Sequence, residues 1–248
     1  MFTVPKKLLS TNNYKTMKGE GLGYKTYILY MSSFTDNLKG INLCPMASAG
    51  CAAACLVNSG FGGIYKAVAD ARRNKSEYFL NDRVNFMLQI DREVAALVKR
   101  EAGKAIPTIR LNGTTDIAWE KFKIRDNKNI FELYPNVQFY DYTKNYKRFD
   151  KVLAANYHLT FSRSETNNSH AELLLSKGYN VAVVFDKTPA TYLGFEVVNG
   201  DKNDLRFLDG KNVIVGLKYK KMTNKGADNK AVFANGFAID TSKMLEAA

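Results

Sequence analysis

From residue 105 onward, short runs rich in β-branched and aromatic residues alternate with stretches whose apolar side chains recur every three or four positions. Residues 105–111, 137–142, 157–161, 181–185 and 213–217 read as strands, and 24–31 reads as one more ahead of them. Helical spacing fills most of the gaps. Phe79, Phe86, Met87, Ile90, Val94, Leu97 and Val98 form one apolar stripe, with Asn81 as its cap and Gly103 as its stop. Ile117, Trp119 and Phe122 are expected on a second helix capped from 112–116. Phe149, Val152 and Leu153 suggest a third, and Leu173 to Leu175 a fourth that Gly178 closes. A β-like excursion at 195–201 replaces a helix, and 236–240 adds a last strand. Strands separated by helices join in parallel through right-handed crossovers, which leaves an open doubly wound sheet or a barrel.

Both architectures place chemistry at the carboxyl ends of the strands. Asn112, Asp116, Asp141, Lys144, Ser162, Arg163 and Asp186 fall at such ends and are the candidates to line a cofactor pocket. Helix capping and turn formation are the competing roles for each, Asp116 and Ser164 above all. No residue is singled out as catalytic.

The loop at 42–55 carries every cysteine in the chain, Cys44, Cys51 and Cys55, spaced C-x6-C-x3-C. Three thiols so close in sequence point to a shared metal, since thiolates suit zinc and iron–sulfur clusters. Structural zinc wants four protein ligands, and the two histidines, His158 and His170, lie far off without paired spacing. A [4Fe–4S] cluster can use three cysteines and leave one iron open, so the cluster is the expectation and zinc the alternative metal. His158, Asp116, Asp141 or Glu165 could close the open iron. The small residues Ala47, Ser48, Ala49, Gly50, Ala52, Ala53 and Ala54 let the backbone wrap tightly.

A length of 248 residues fits one domain of barrel size, with flexible segments at 1–23 and 220–231. No apolar run reaches the roughly 18 residues of a membrane span. The start lacks the apolar region of a secretory signal, and clustered unpaired thiols suit a reducing compartment, so a cytoplasmic protein is expected. The formal charge of +12 brings nucleic acid into consideration as a partner.

A strand that delivers a three-cysteine loop and leads into further βα units resembles the partial barrel of radical S-adenosylmethionine enzymes. The spacing departs from that family's common C-x3-C-x2-C. The resemblance implies an α/β fold, a TIM-like (β/α) barrel, partial with about six parallel strands. It also implies S-adenosylmethionine on the open iron. The segments 111–117, 139–144, 159–164 and 201–207, in that order behind the cysteine loop, resemble a family of bacteriophage-encoded proteins. This implies action in a bacterial host's cytoplasm and brings no reaction with it. The functional expectation is an iron–sulfur protein with redox or radical chemistry on a small molecule or redox partner. The alternative is a basic nucleic-acid-binding protein with a structural metal site.

Overall fold

The computed structural model describes residues 2–11, 14–151 and 153–244, and the chain divides between two units. The first takes residues 1–45, 67–141 and 151–158, and the second 46–66, 142–150 and 159–248. In chain order the elements are β1 (Leu9–Ser10), α1 (Tyr14–Met17), β2 (Tyr24–Leu29), α2 (Ala49–Ala53), α3 (Gly60–Ile64), α4 (Lys66–Asn81) and α5 (Arg83–Glu101). There follow β3 (Ile106–Arg110), α6 (Ile130–Leu133), β4 (Gln138–Thr143), β5 (Tyr157–Ser162), α7 (Asn168–Ser176) and β6 (Val181–Phe185). The chain continues with β7 (Thr191–Tyr192), β8 (Phe195–Asn199), β9 (Ile214–Lys218), α8 (Ala231–Ala234) and β10 (Ala238–Ile239).

In the first unit β2, β3 and β4 run parallel, with Tyr24 opposite Ile106 and Ile109 opposite Phe139. Their inner residues Tyr27, Ile28, Leu29, Ile109 and Phe139 are buried. Thr26 and Thr108 meet between neighbouring strands through a hydroxyl pair at 2.9 Å. The helical stripe on α5 is as its spacing implies: Phe86, Met87, Ile90, Val94 and Leu97 are buried, whereas Val98 faces outward. Its cap is Asp82, whose carboxylate accepts from the Asn85 amide, so Phe79 and Asn81 belong to α4 instead. Gly103, at φ 71°, makes the turn after α5 that a side chain would resist.

The helix expected to carry Ile117, Trp119 and Phe122 shrinks to a single 3-10 turn at Trp119–Lys121. The cause is Asn112, whose side-chain oxygen accepts from the Thr115 hydroxyl, the Ile117 amide and the Trp119 indole at 2.9–3.0 Å. A side chain that satisfies these donors locally removes the reason to wind a helix. The stretch with Phe149 and Leu153 likewise holds only a turn at Tyr146–Arg148, and Val152 lies outside the described residues.

The second unit has its own parallel strands. β6 pairs with β5 on one side and β9 on the other, with Phe161 opposite Val181 and Val181 opposite Ile214. β10 continues along β6, setting Ala238 beside Val184. The excursion at 195–201 forms as β8, parallel to β9 and turned back on β7 as an antiparallel hairpin.

The barrel is corrected by these edges. Closing a barrel requires every strand to be paired on both sides. In the first unit β1 lies antiparallel outside β2 and ends the sheet, and in the second the β7–β8 hairpin ends it. The architecture is a mixed α/β fold with an open, mostly parallel sheet. The short turns at Trp119–Lys121 and Tyr146–Arg148 stand where a (β/α) repeat would need full covering helices.

At the end of α5 the buried Glu101 accepts from the Tyr27 hydroxyl at 2.6 Å and from Arg100 Nε at 2.8 Å. These two hydrogen bonds, Tyr27 first, hold its carboxyl down at about 2 against an ordinary 4.5, while burial and Glu101 push the Tyr27 phenol up to about 12. A depressed carboxyl contributes stability that is full above its unfolded pKa and lost as pH falls through the folded one. Resistance to urea should therefore decline between pH 4.5 and about 2, and Tyr27→Phe should flatten that decline. Urea melts at stepped pH check it, and an unchanged slope in the variant would remove Tyr27 from the account.

Candidate functional site

Within the second unit a short helix is held by a carboxylate. α2 has only five residues, and Ser48 caps it by accepting from the Cys51 amide at 3.1 Å. The same hydroxyl donates to Glu165 Oε2 at 2.8 Å, and the Gly50 amide donates to Glu165 Oε1 at 2.6 Å. A Cβ at Gly50 would fall 2.7 Å from the Glu165 carboxyl carbon, so a side chain there would push the carboxylate off these two bonds. The signal was present in the sequence as a serine three positions before Cys51. What the sequence does not disclose is that Glu165 meets it.

Cys51 packs at the margin of an apolar cluster formed by Ala54, Met222, Val232, Phe237 and Ala238. Burial pushes its thiol up. Lys144 works against this through its charge and a hydrogen bond, while the neighbouring Cys55 and Glu165 add to the rise. Lys144 Nζ also donates to Ser162 Oγ at 2.8 Å and stands 5.9 Å from the centre of the Phe237 ring. Cys51, Lys144 and Ser162 thus form a thiol–ammonium–hydroxyl group at the margin of the apolar cluster, with Glu165 holding the helix that carries Cys51.

The other predicted residues do different work. Arg163 Nε donates to Asn168 Oδ1 at 2.7 Å, and its Nη1 reaches the backbone oxygens of Gly236 and Phe237, which clasps the end of β5 to the entry of β10. Asp186 accepts from the Thr241 amide and hydroxyl at 2.9 and 2.8 Å. Burial works to raise its carboxyl, but these bonds together hold it below the usual range. Asn112, Asp116 and Asp141 belong to the first unit. Asp141 is buried, accepting from the Asn112 amide at 2.8 Å and the Tyr157 hydroxyl at 3.1 Å, and this pair staples the loop after β3. The Asp116 amide donates to the Leu43 carbonyl.

The structure lends no support to the metal centre expected at the three cysteines. Cys44 falls in the first unit, where its thiol donates to the Thr114 carbonyl at 3.7 Å and its amide to Asn42 Oδ1 at 2.8 Å; Cys51 and Cys55 fall in the second. No disulfide is formed. Among the described residues no group of three or more His, Cys, Asp or Glu side chains is placed to hold a metal ion. The sulfur nearest the candidate group faces a lysine ammonium, which competes with a metal cation for the same electron pair. These residues do not present a donor set for a cluster or a zinc ion.

A family model described as Gene product 88 matches residues 6–235. The chain belongs to the Gene product 88 family. This agrees with the resemblance to phage-encoded proteins and lends nothing to the radical S-adenosylmethionine one. No curated protein and no solved structure matches the chain. Among the described residues no helix is long and apolar enough to cross a membrane.

Two substitutions separate holding from chemistry. Gly50→Ala should cost about 1–3 kcal/mol by driving a methyl group into Glu165. Asn112→Ala should cost about 2–3 kcal/mol by orphaning buried donors, without altering the alkylation rate of Cys51. Denaturant melts with peptide-resolved alkylation check both, and a change in Cys51 labelling in Asn112→Ala would contradict the division.

Proposed function

We propose that this Gene product 88 protein carries a thiol-dependent activity centred on Cys51, acting in the cytoplasm of a phage-infected bacterium on a small electrophile such as a carbonyl or thioester compound. The observation that carries the reading is the placement of Lys144, tethered to Ser162 at 2.8 Å, beside the helix-held Cys51, whose thiol its charge and hydrogen bond lower while burial still leaves it raised. A buried thiol is inert until something favours its anion, and the Lys144 ammonium pulls that way against a burial that still outweighs it.

In the reaction so read, the thiol first gives its proton to solvent and Lys144 holds the charge left on sulfur. The sulfur pair then forms a bond to the electrophilic carbon, and the carbonyl π pair moves to oxygen. Lys144, released from sulfur, turns to the new oxyanion, and the Ser162 hydroxyl, 2.8 Å from Nζ, sets where the ammonium sits. On a carbonyl compound the oxyanion then takes a proton from solvent; on a thioester its pair re-forms the carbonyl and expels the substrate's thiolate, which solvent protonates. Glu165 is occupied by Ser48 and Gly50, so its part is to hold α2 and with it Cys51.

The test follows iodoacetamide alkylation of Cys51 by peptide mass against pH. The rate should keep climbing above the range of an ordinary thiol. Lys144→Ala should slow it about tenfold at a given pH, equivalent to a rise of one pKa unit, and Lys144→Arg should restore most of it. Identical profiles in wild type and Lys144→Ala would end the proposal. Anaerobic purification with iron, sulfide and zinc analysis runs beside it. A brown protein with about four irons per chain would replace this reading with the cluster that the spacing of Cys44, Cys51 and Cys55 implies, and would make a titration with S-adenosylmethionine worthwhile.

A further inference from the structure

Within the second unit, α3 and the segment after β9 lie side by side. Ser59 and Met222 form an antiparallel bridge, the Thr223 amide donates to the Asn58 carbonyl at 2.8 Å, and the Thr223 hydroxyl donates to the Gly60 carbonyl at 3.0 Å. Gly63 permits the approach, since a Cβ there would stand 2.6 Å from Thr223 Oγ1. Met222 is buried in one apolar cluster with Ala54.

The outer side is unusual for a surface. Phe61 is 74% exposed, Ile64 60% and Tyr65 55%, and the Phe61 and Tyr65 rings lie 5.7 Å apart at 35°. Lys218, the last residue of β9, and Lys220, Lys221 and Lys225 after it are all exposed. Neither 46–66 nor 218–225 contains an aspartate or a glutamate. The two segments thus adjoin through their backbones, and neither has a carboxylate of its own, the Asp201 carboxylate accepting from the Lys218 amide at the start of the basic run.

We propose that this face binds single-stranded nucleic acid, with bases stacking on Phe61 and Tyr65 and phosphates met by Lys218, Lys220, Lys221 and Lys225. Each part of the surface narrows the partner. Exposed lysines crowded into one short run select a polyanion. Exposed paired rings select one whose units carry flat π-faces, and those faces are open in a single strand and stacked away in a duplex. α3 has five residues, too few for a helix that reads a major groove or lies along a membrane. The site is separate from Cys51 chemistry and stands without it.

The experiment uses the full chain and fluorescein-labelled mixed-sequence oligonucleotides of about a dozen nucleotides, in deoxy and ribo forms, with anisotropy read from about 50 to 200 mM salt. Binding of either form, with a log–log salt slope of about −2 to −3, is expected. Phe61→Ala/Tyr65→Ala should weaken it about tenfold or more with the slope kept. Lys221→Glu/Lys225→Glu should make the slope shallower by about 1 or more. All four side chains are exposed, and melting temperatures equal to wild type confirm that the variants fold; should the aromatic pair fail to fold, the lysine pair decides alone. Absence of binding at the lowest salt, or affinity unchanged in the variants that fold, overturns the proposal. Binding to phosphatidylserine vesicles with none to either oligonucleotide overturns it as well, in favour of a membrane surface.

Discussion

Much of the second unit's site hangs on one carboxylate. A helix of five residues cannot hold itself in water, because nucleation costs more than so few hydrogen bonds return. α2 is therefore placed from outside, by Glu165 accepting from the Ser48 hydroxyl and the Gly50 amide. Charge-assisted bonds of this kind contribute roughly 1.5–3 kcal/mol each, enough to fix a short helix that propensity alone would leave loose. Since Ser48 also caps the helix at the Cys51 amide, the orientation of the thiol follows from where Glu165 sits.

That arrangement explains why Cys51 faces an ammonium. Carried into the margin of the apolar cluster, the thiol loses water, and desolvation favours its neutral form. Lys144 supplies the opposing charge while remaining tethered to Ser162, so the cation stays beside the sulfur. Position and electrostatics thus come from different elements: Cys51 from α2, Lys144 from the residue that follows β4, and Ser162 from the last position of β5. Only the fold brings these three together.

The strands and the α5 stripe were legible in the sequence because period and burial coincide there, as Phe86, Ile90 and Val94 show. The barrel was not. β1 and β7 are two-residue strands with too little sequence to announce an edge, and an open sheet is distinguished from a closed one only by its edges. The lost helix at Ile117 has a similar cause, since Asn112 reads as a cap by type but acts as the centre of a loop. Lys144 and Ser162 read from the sequence as pocket residues at strand ends and Cys51 as a metal ligand, and no spacing in the chain announces that the fold groups the three. Three cysteines in one loop suggest convergence, but sequence proximity does not decide which way a sulfur points. Here one is bonded to the Thr114 carbonyl and another meets Lys144.

The stretch from 46 to 66 has two faces with opposite physical demands. Its inner side must be small and uncharged, because Gly50 lies against a carboxylate and Ala54 against Met222 and Phe237. Its outer side carries Phe61, Ile64 and Tyr65 into water, which folding alone does not favour, since burying them would be worth about 1.5–3 kcal/mol each. Single exposed apolar residues need no explanation, but several on one short helix beside four lysines do. The net charge of +12 therefore acquires a direction: most of the lysines lie scattered along the chain, while those at 218–225 run beside the segment that carries the aromatic pair. The charge balance of this segment, more than the total for the protein, distinguishes a binding surface from ordinary solvation.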